Sequence, residues 1–164
     1  MTQSALPMRQ AECAERTPRD VRMGSTAELW EGLSPDERDR VARYCPDRSF
    51  PKGSVIFTPG DAPEALYVLR SGLVKLSHVS KDGQESILRV FGPGDVFGEL
   101  LLAVRARPFL ASALTSCVVT VVPGKTFLQL LSTIPRIGFN FIGVLSRHLV
   151  EMARKSLLGK ALAR

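Results

Sequence analysis

At 164 residues the chain has the length of one domain with a sizeable core, and 45% hydrophobic against 23% charged residues is the balance of an ordinary globular fold. No apolar run reaches the length of a membrane span and the start lacks a signal peptide's apolar stretch, so the cytoplasm is the expected compartment, with no membrane partner. Cys13, Cys45 and Cys117 are odd in number and far apart, which argues against a disulfide framework or a clustered metal site; the net charge is +6.

Residues 1–25 are polar, small and without periodicity, and read as a mobile N-terminal arm ahead of one domain over 26–164. Leu29, Leu33, Val41 and Tyr44 then predict two short helices. Ser34-Pro35-Asp36-Glu37 marks the start of the second, with serine as cap and proline at the first helical position. From Phe50 to Pro123 the pattern changes to short runs of valine, leucine and isoleucine, punctuated by Gly53, Gly60, Gly72, Gly83, Gly92 and Gly94. Strands separated by such regular turns predict an all-β sandwich or barrel. Asp82-Gly83 signals a hairpin between Leu76 and Ile87.

The helical period returns after Pro123. Phe127, Leu130 and Leu131 mark one short helix, and Pro135 opens a long one over about 135–158. Within it Ile142, Leu145, Leu149 and Met152 follow 3-4-3 spacing, an apolar seam that breaks at Ser156 and Gly159. The seam serves either as internal core or as a dimer interface. Arg136, Arg147, Arg154, Lys155, Lys160 and Arg164 oppose the single acid Glu151 here. That charge suits a solvated face or an acidic partner, but from Arg147 onward no Phe, Tyr or Trp interleaves it as single-strand nucleic-acid binding requires.

The most informative segment is Gly94-Asp95-Val96-Phe97-Gly98-Glu99-Leu100-Leu101-Leu102, with Arg107 nine residues after the second glycine. It has the makings of an anion cradle. Gly98 allows close backbone approach, and a helix beginning at Glu99 offers free N–H groups and a partial positive charge to a phosphate. Arg107 can clamp the same phosphate with paired donors, and the Glu99 carboxylate calls for a hydroxyl partner. The alternatives are that Glu99 caps its own first turn and that Arg107 is a surface residue at a strand's start, with Arg105 competing for the clamp.

This segment resembles the phosphate-binding cassette of cyclic nucleotide-binding domains in the CRP/FNR family of bacterial regulators. The resemblance extends from about Leu29 to Lys155. Leu29-Trp30-Glu31-Gly32-Leu33-Ser34 is similar to the family's first helix. Phe50-Pro51-Lys52-Gly53-Ser54-Val55-Ile56-Phe57 and Pro59-Gly60-Asp61 resemble its first strands and turn, and Leu66 through Leu76 its central hairpin. The resemblance implies a mainly β fold with flanking helices: a double-stranded, jelly-roll-like β-roll of about eight strands, followed by a long C-terminal dimerisation helix. It implies phosphate and ribose contacts from Gly98, Glu99, Leu100 and Arg107, a homodimer through Ile142, Leu145, Leu149 and Met152, and cAMP or cGMP as effector.

Two departures bear on that ligand. Nucleotide-binding members follow the arginine with serine or threonine and then alanine, whereas this chain has Pro108 and Phe109. Pro108 has neither hydroxyl nor N–H. Two donors to a charged group, each worth roughly 1.5–3 kcal/mol, are absent together, costing about a hundredfold or more in affinity. The positions that read adenine in the family correspond to Met152 and Ala153, which pack on a base but cannot hydrogen-bond it.

The expected function is an effector-sensing domain of a CRP/FNR-like transcription regulator that signals through its C-terminal helix. One alternative is a degenerate roll that binds no nucleotide and serves dimerisation or protein interaction. Another is a haem or redox sensor, for which His78 and His148 are the only histidines. Cys117 reads as a small buried apolar group. No nucleophile elbow, Walker sequence or metal-spaced histidine pair is present, so neither an enzyme nor a metal site is expected. Full regulators of the family continue into a helix-turn-helix domain; with the chain stopping at Arg164, no DNA binding is expected from it alone.

Overall fold

The structure, a computed structural model, describes residues 27–162. The expected arm over 1–25 and Cys13 lie outside the described residues.

A single 3-10 turn, Glu28–Trp30, leads to helix α1 (Pro35–Tyr44). The helix starts where its sequence signals. Ser34 Oγ accepts the Glu37 N–H at 3.2 Å while the Glu37 carboxylate accepts the Ser34 N–H at 2.8 Å, a reciprocal capping box. Eight strands follow: β1 (Asp47–Phe50), β2 (Val55–Phe57), β3 (Ala65–Ser71), β4 (Val74–Val79), β5 (Glu85–Phe91), β6 (Val96–Phe97), β7 (Leu110–Ala113) and β8 (Cys117–Pro123). They form two antiparallel four-stranded sheets, in the orders β1-β8-β3-β6 and β2-β7-β4-β5. This is the expected β-roll, and the Asp82-Gly83 hairpin joins β4 to β5 as anticipated.

The stretch Leu66–Leu76 is not a hairpin, correcting the sequence reading. β3 pairs with β8 and β6, and β4 with β5 and β7, so the turn at Ser71-Gly72 carries the chain from one sheet to the other. Gly72 is required there: its φ is +82°, and a Cβ would stand 2.3 Å from the Ser116 carbonyl oxygen.

β3 is apolar from Ala65 to Leu69 because both its faces are covered there. Leu66 and Val68 join one core, against the helices, while Tyr67 and Leu69 turn to the other, between the sheets. β6 divides the same way, Val96 to the helical side and Phe97 to the roll. Within the roll Phe97 stacks on Tyr67 at 5.1 Å and on Phe91 at 5.4 Å. Cys117 is buried here as expected, and Cys45 is buried in the helical core.

Helix α2 (Gly124–Thr133) and helix α3 (Pro135–Leu162) meet at a 117° bend. Among the described residues no single helix is long and apolar enough to cross a membrane. α3 runs to Leu162, past the expected end near 158. Its inner face is Ile137, Phe141, Val144 and His148, with Phe141 edge-on to Phe127 at 4.9 Å. Ile142, Leu145 and Leu149 lie on other faces of the same helix, Met152 follows His148 one turn on, and all four are exposed in the single chain.

Candidate functional site

The cassette is tied to the sheet by its opening turn. The Gly94 N–H donates to the Leu69 carbonyl at 2.8 Å, the Leu69 N–H to that of Asp95 at 2.9 Å, and the Asp95 carboxylate accepts the Gly92 N–H at 2.8 Å. After β6, Gly98 adopts φ +78° and turns the chain into Glu99–Leu102. That segment is one turn of 3-10 helix beginning at Glu99, as expected. A single turn sums few peptide dipoles, so little macrodipole is available to an anion here.

Arg107 is 4% exposed, which rules out the surface alternative; Arg105 is exposed. Its loop is pinned to the β2–β3 turn, the Arg107 N–H donating to the Asp61 carbonyl at 2.8 Å and the Gly60 N–H to that of Arg107 at 2.9 Å. The guanidinium donates from Nη1 to the Gly98 carbonyl at 2.8 Å and from Nη2 to the Ala65 carbonyl. Its carbon lies 4.3 Å above the centre of the Phe57 ring. Nε has no partner among the described residues. Burial lowers the guanidinium's pKa, with Tyr67, Glu99 and Asp61 opposing.

The Glu99 carboxylate faces helix α3, with Oε1 2.9 Å from His148 Nδ1. Burial alone would raise its pKa, but the His148 hydrogen bond, its own N–H and the charges of His148 and Arg89 together hold it below the usual carboxylate value. Three further contacts bring α3 onto β5. Arg89 pairs with Glu151 at 3.0 Å, Lys155 Nζ donates to the Leu88 carbonyl, and the Phe91 and His148 rings sit 6.1 Å apart.

Between cassette and helix lies a cavity of about 520 Å³. All seven ligand-binding and ligand-proximal positions named from the sequence line it: Gly98, Glu99, Leu100, Arg107, Pro108, Phe109 and Met152. Ala153, the other position matched to base reading, does not; it is exposed. Phe57, Leu76, Leu88 and Phe91 add apolar wall. Sequence reasoning missed the roles of Arg89, His148, Glu151 and Lys155. His148 had a signal, since it lies one helical turn before Met152 and so shares its side of α3. A second cavity, of about 380 Å³ beside Trp30, Arg38 and Cys45, shares none of these residues. Among the described residues no three His, Cys, Asp or Glu side chains are grouped as a metal ion requires.

The arrangement offers a ligand the Glu99 carboxylate, one buried guanidinium and a largely apolar chamber, the second carboxylate, Glu151, being paired with Arg89. Of the guanidinium's five donors, two have protein acceptors.

Comparison with known proteins gives the family. A profile for the cyclic nucleotide-binding domain matches residues 47–134. The cyclic AMP receptor protein of Thermus thermophilus is 36% identical over 124 residues, covering 75% of this chain and 57% of its own. The crystal structure of the Thermus thermophilus catabolite activator protein superposes with a TM-score of 0.71 at 33% identity, over 81% of this chain and 63% of that one. The regulator CLP of Xanthomonas campestris, described as responsive to c-di-GMP, superposes with a TM-score of 0.67 at 27% identity, over 75% and 63%. The chain thus spans little more than half the length of the curated relatives it matches. It belongs to the cyclic nucleotide-binding domain family, as the sensor domain of a CRP/FNR-like regulator.

Proposed function

We propose that this domain binds a small effector of the cyclic nucleotide type, cAMP or cGMP, in the cavity between the Gly98–Arg107 cassette and α3, and that binding is passed on through α3. The observation that carries this reading is the shared cavity: Gly98, Glu99 and Arg107 form one wall and His148 and Met152 of α3 another. Arg107 takes the phosphate, using donors not committed to Gly98 and Ala65, with the Leu100 N–H beside it. Glu99 accepts from a ribose hydroxyl, and Met152 packs on the base. A ligand placed there touches loop and helix at once, so it shifts the balance between two placements of α3. Two copies of the domain associate through Ile142, Leu145, Leu149 and Met152, exposed in the single chain. The domain performs no catalysis and works in the cytoplasm, consistent with relatives described as transcription regulators.

A second reading, a roll that binds no nucleotide and serves association alone, is favoured by one feature. The guanidinium already lies against Phe57 and two carbonyls, and Pro108 beside it brings no donor. Titration calorimetry with cAMP, cGMP and c-di-GMP decides. Saturable heat lost in Arg107→Ala supports the sensor, and no heat with any of the three supports the second reading.

A further inference from the structure

His148 closes the inner face of α3. Every residue of the helix after it is exposed, save the half-buried Glu151. Beyond this residue the helix is held by two rim contacts, Arg89 with Glu151 and Lys155 with the Leu88 carbonyl. The last buried attachment of the signalling helix is therefore an imidazole on a carboxylate that belongs to the cassette, 49 residues away in the chain.

The charges around that imidazole leave Glu99 as its counter-ion. From β5 Arg89 approaches, but it is paired with Glu151 of α3 itself. Lys155 lies one turn further along the helix and is bonded to the Leu88 carbonyl. Arg107 lies behind Glu99 with its guanidinium on the Gly98 and Ala65 carbonyls, and His78 lines the same cavity from an exposed position on β4. The Phe91 ring covers the imidazole from the roll side. Histidine is the side chain whose charge changes between about pH 5 and 8; a lysine or arginine here would stay charged throughout.

We infer that the His148–Glu99 contact is a proton-gated latch: it fastens α3 over the cavity while the imidazole is charged, and an effector hydroxyl that takes over the Glu99 carboxylate unfastens it. The first half stands on the His148–Glu99 contact, and the second rests on the effector site proposed above. One carboxylate has two suitors, helix and ligand, so occupancy of the cavity and docking of the helix are linked through a single group. With Glu99 drawn to the ligand, the imidazolium loses its counter-ion and gives its proton to solvent.

Hydrogen exchange on the free 164-residue chain tests the first half. After correction for the intrinsic rate, protection over 149–158 falls by about threefold between pH 5.5 and 8, the scale of a partly exposed ion pair. In His148→Gln, which donates but does not titrate in this range, the profile is flat. Glu99→Gln keeps the imidazole and removes its counter-ion, and it too is flat. A flat wild-type profile, or the wild-type slope persisting in either variant, overturns the latch. For the second half, cAMP is titrated at pH 6.5 in two buffers of different ionisation enthalpy. Wild type releases a fraction of a proton, so its heats differ between buffers, whereas the heats of His148→Gln coincide. Binding with equal heats in wild type overturns the competition for Glu99. No heat with cAMP or cGMP overturns the nucleotide reading and the second half with it, while the exchange profile decides the first half by itself.

Discussion

Arg107 reaches back to the residue that opens its own loop: its Nη1 donates to the Gly98 carbonyl at 2.8 Å, and a Cβ on Gly98 would stand 3.3 Å from that same nitrogen. The glycine thus serves twice, by its φ of +78° and by admitting the guanidinium. Gly98→Ala therefore costs the left-handed penalty of about 1–2 kcal/mol plus the displacement of Arg107 and of the Tyr67 ring, whose Cδ2 would stand 3.1 Å from the new Cβ. Gly83, at φ +80° with open space around it, is the control, because alanine there pays the backbone cost alone. Urea denaturation should place Gly98→Ala clearly below Gly83→Ala in stability. Equal losses would show that the guanidinium and the Tyr67 ring both yield freely.

Arg107 also supports the fold. Replacing it by alanine strands two buried carbonyls and uncovers the Phe57 face, and a loss on the order of 3 kcal/mol is expected from urea unfolding. Arg107→Lys should recover less than half, because an ammonium cannot span the Gly98 and Ala65 oxygens as a planar fork does.

Pro108 is exposed at the mouth of the cavity, so Pro108→Ser leaves stability nearly unchanged. It restores an N–H and a hydroxyl beside the guanidinium. If the cavity seats a cyclic phosphate, calorimetry should show affinity for cAMP rising by about tenfold or more. A change within twofold would mean that no phosphate lies at this position.

Acid should loosen α3. The Glu99 carboxylate has its pKa held below the ordinary value in the folded chain, so the stability it adds is fully present above about pH 4.3. That stability is lost as pH falls through the lower folded value. Urea midpoints measured from pH 5 to 3 should fall less steeply in Glu99→Gln than in wild type. Glu85, also lowered, by Lys75 and Ser77, lies on the exposed strand β5, and Glu85→Gln should change the slope little.

The two faces of α3 should respond oppositely to a charge. Ile142 is 62% and Leu149 68% exposed, whereas Val144 is 1% exposed. An Ile142→Asp, Leu149→Asp double variant is expected to sediment as a monomer and keep its fold, because no core is disturbed. Val144→Asp should instead unfold the domain, since it buries an unpaired charge. A double variant that still sediments as a dimer would remove the seam from the interface.

Local chemistry made much of the fold legible. The Ser34–Glu37 cap lies within one helical turn, and the change from strand to helix period at Pro123 is written in the spacing of apolar residues. The cassette was readable because its turn, glycine, carboxylate and arginine lie within fourteen consecutive positions, 94 to 107. The path at Gly72 was not. An apolar run on each side of a glycine is the same string whether the strands pair or part, and what parts them is β8, which claims β3 from about fifty residues away.

The amino-acid sequence alone settled a mainly β fold with flanking helices, and its resemblance to the family sharpened that to a β-roll and named residues that line one cavity. The first follows from periodicity and turn chemistry, and the second from a compact motif, all of them short-range. Tertiary structure alone decided what those side chains face. It bound the Arg107 guanidinium to the Gly98 and Ala65 carbonyls and gave Glu99 to His148. It also chose between two apolar stripes on α3, burying Ile137, Phe141 and Val144 against Phe127 and the helical core and leaving Ile142 and Leu149 outside. Both stripes satisfy the helical period equally well. Only the packing of distant residues, which brings Glu99 and His148 to 2.9 Å across 49 positions, breaks the tie.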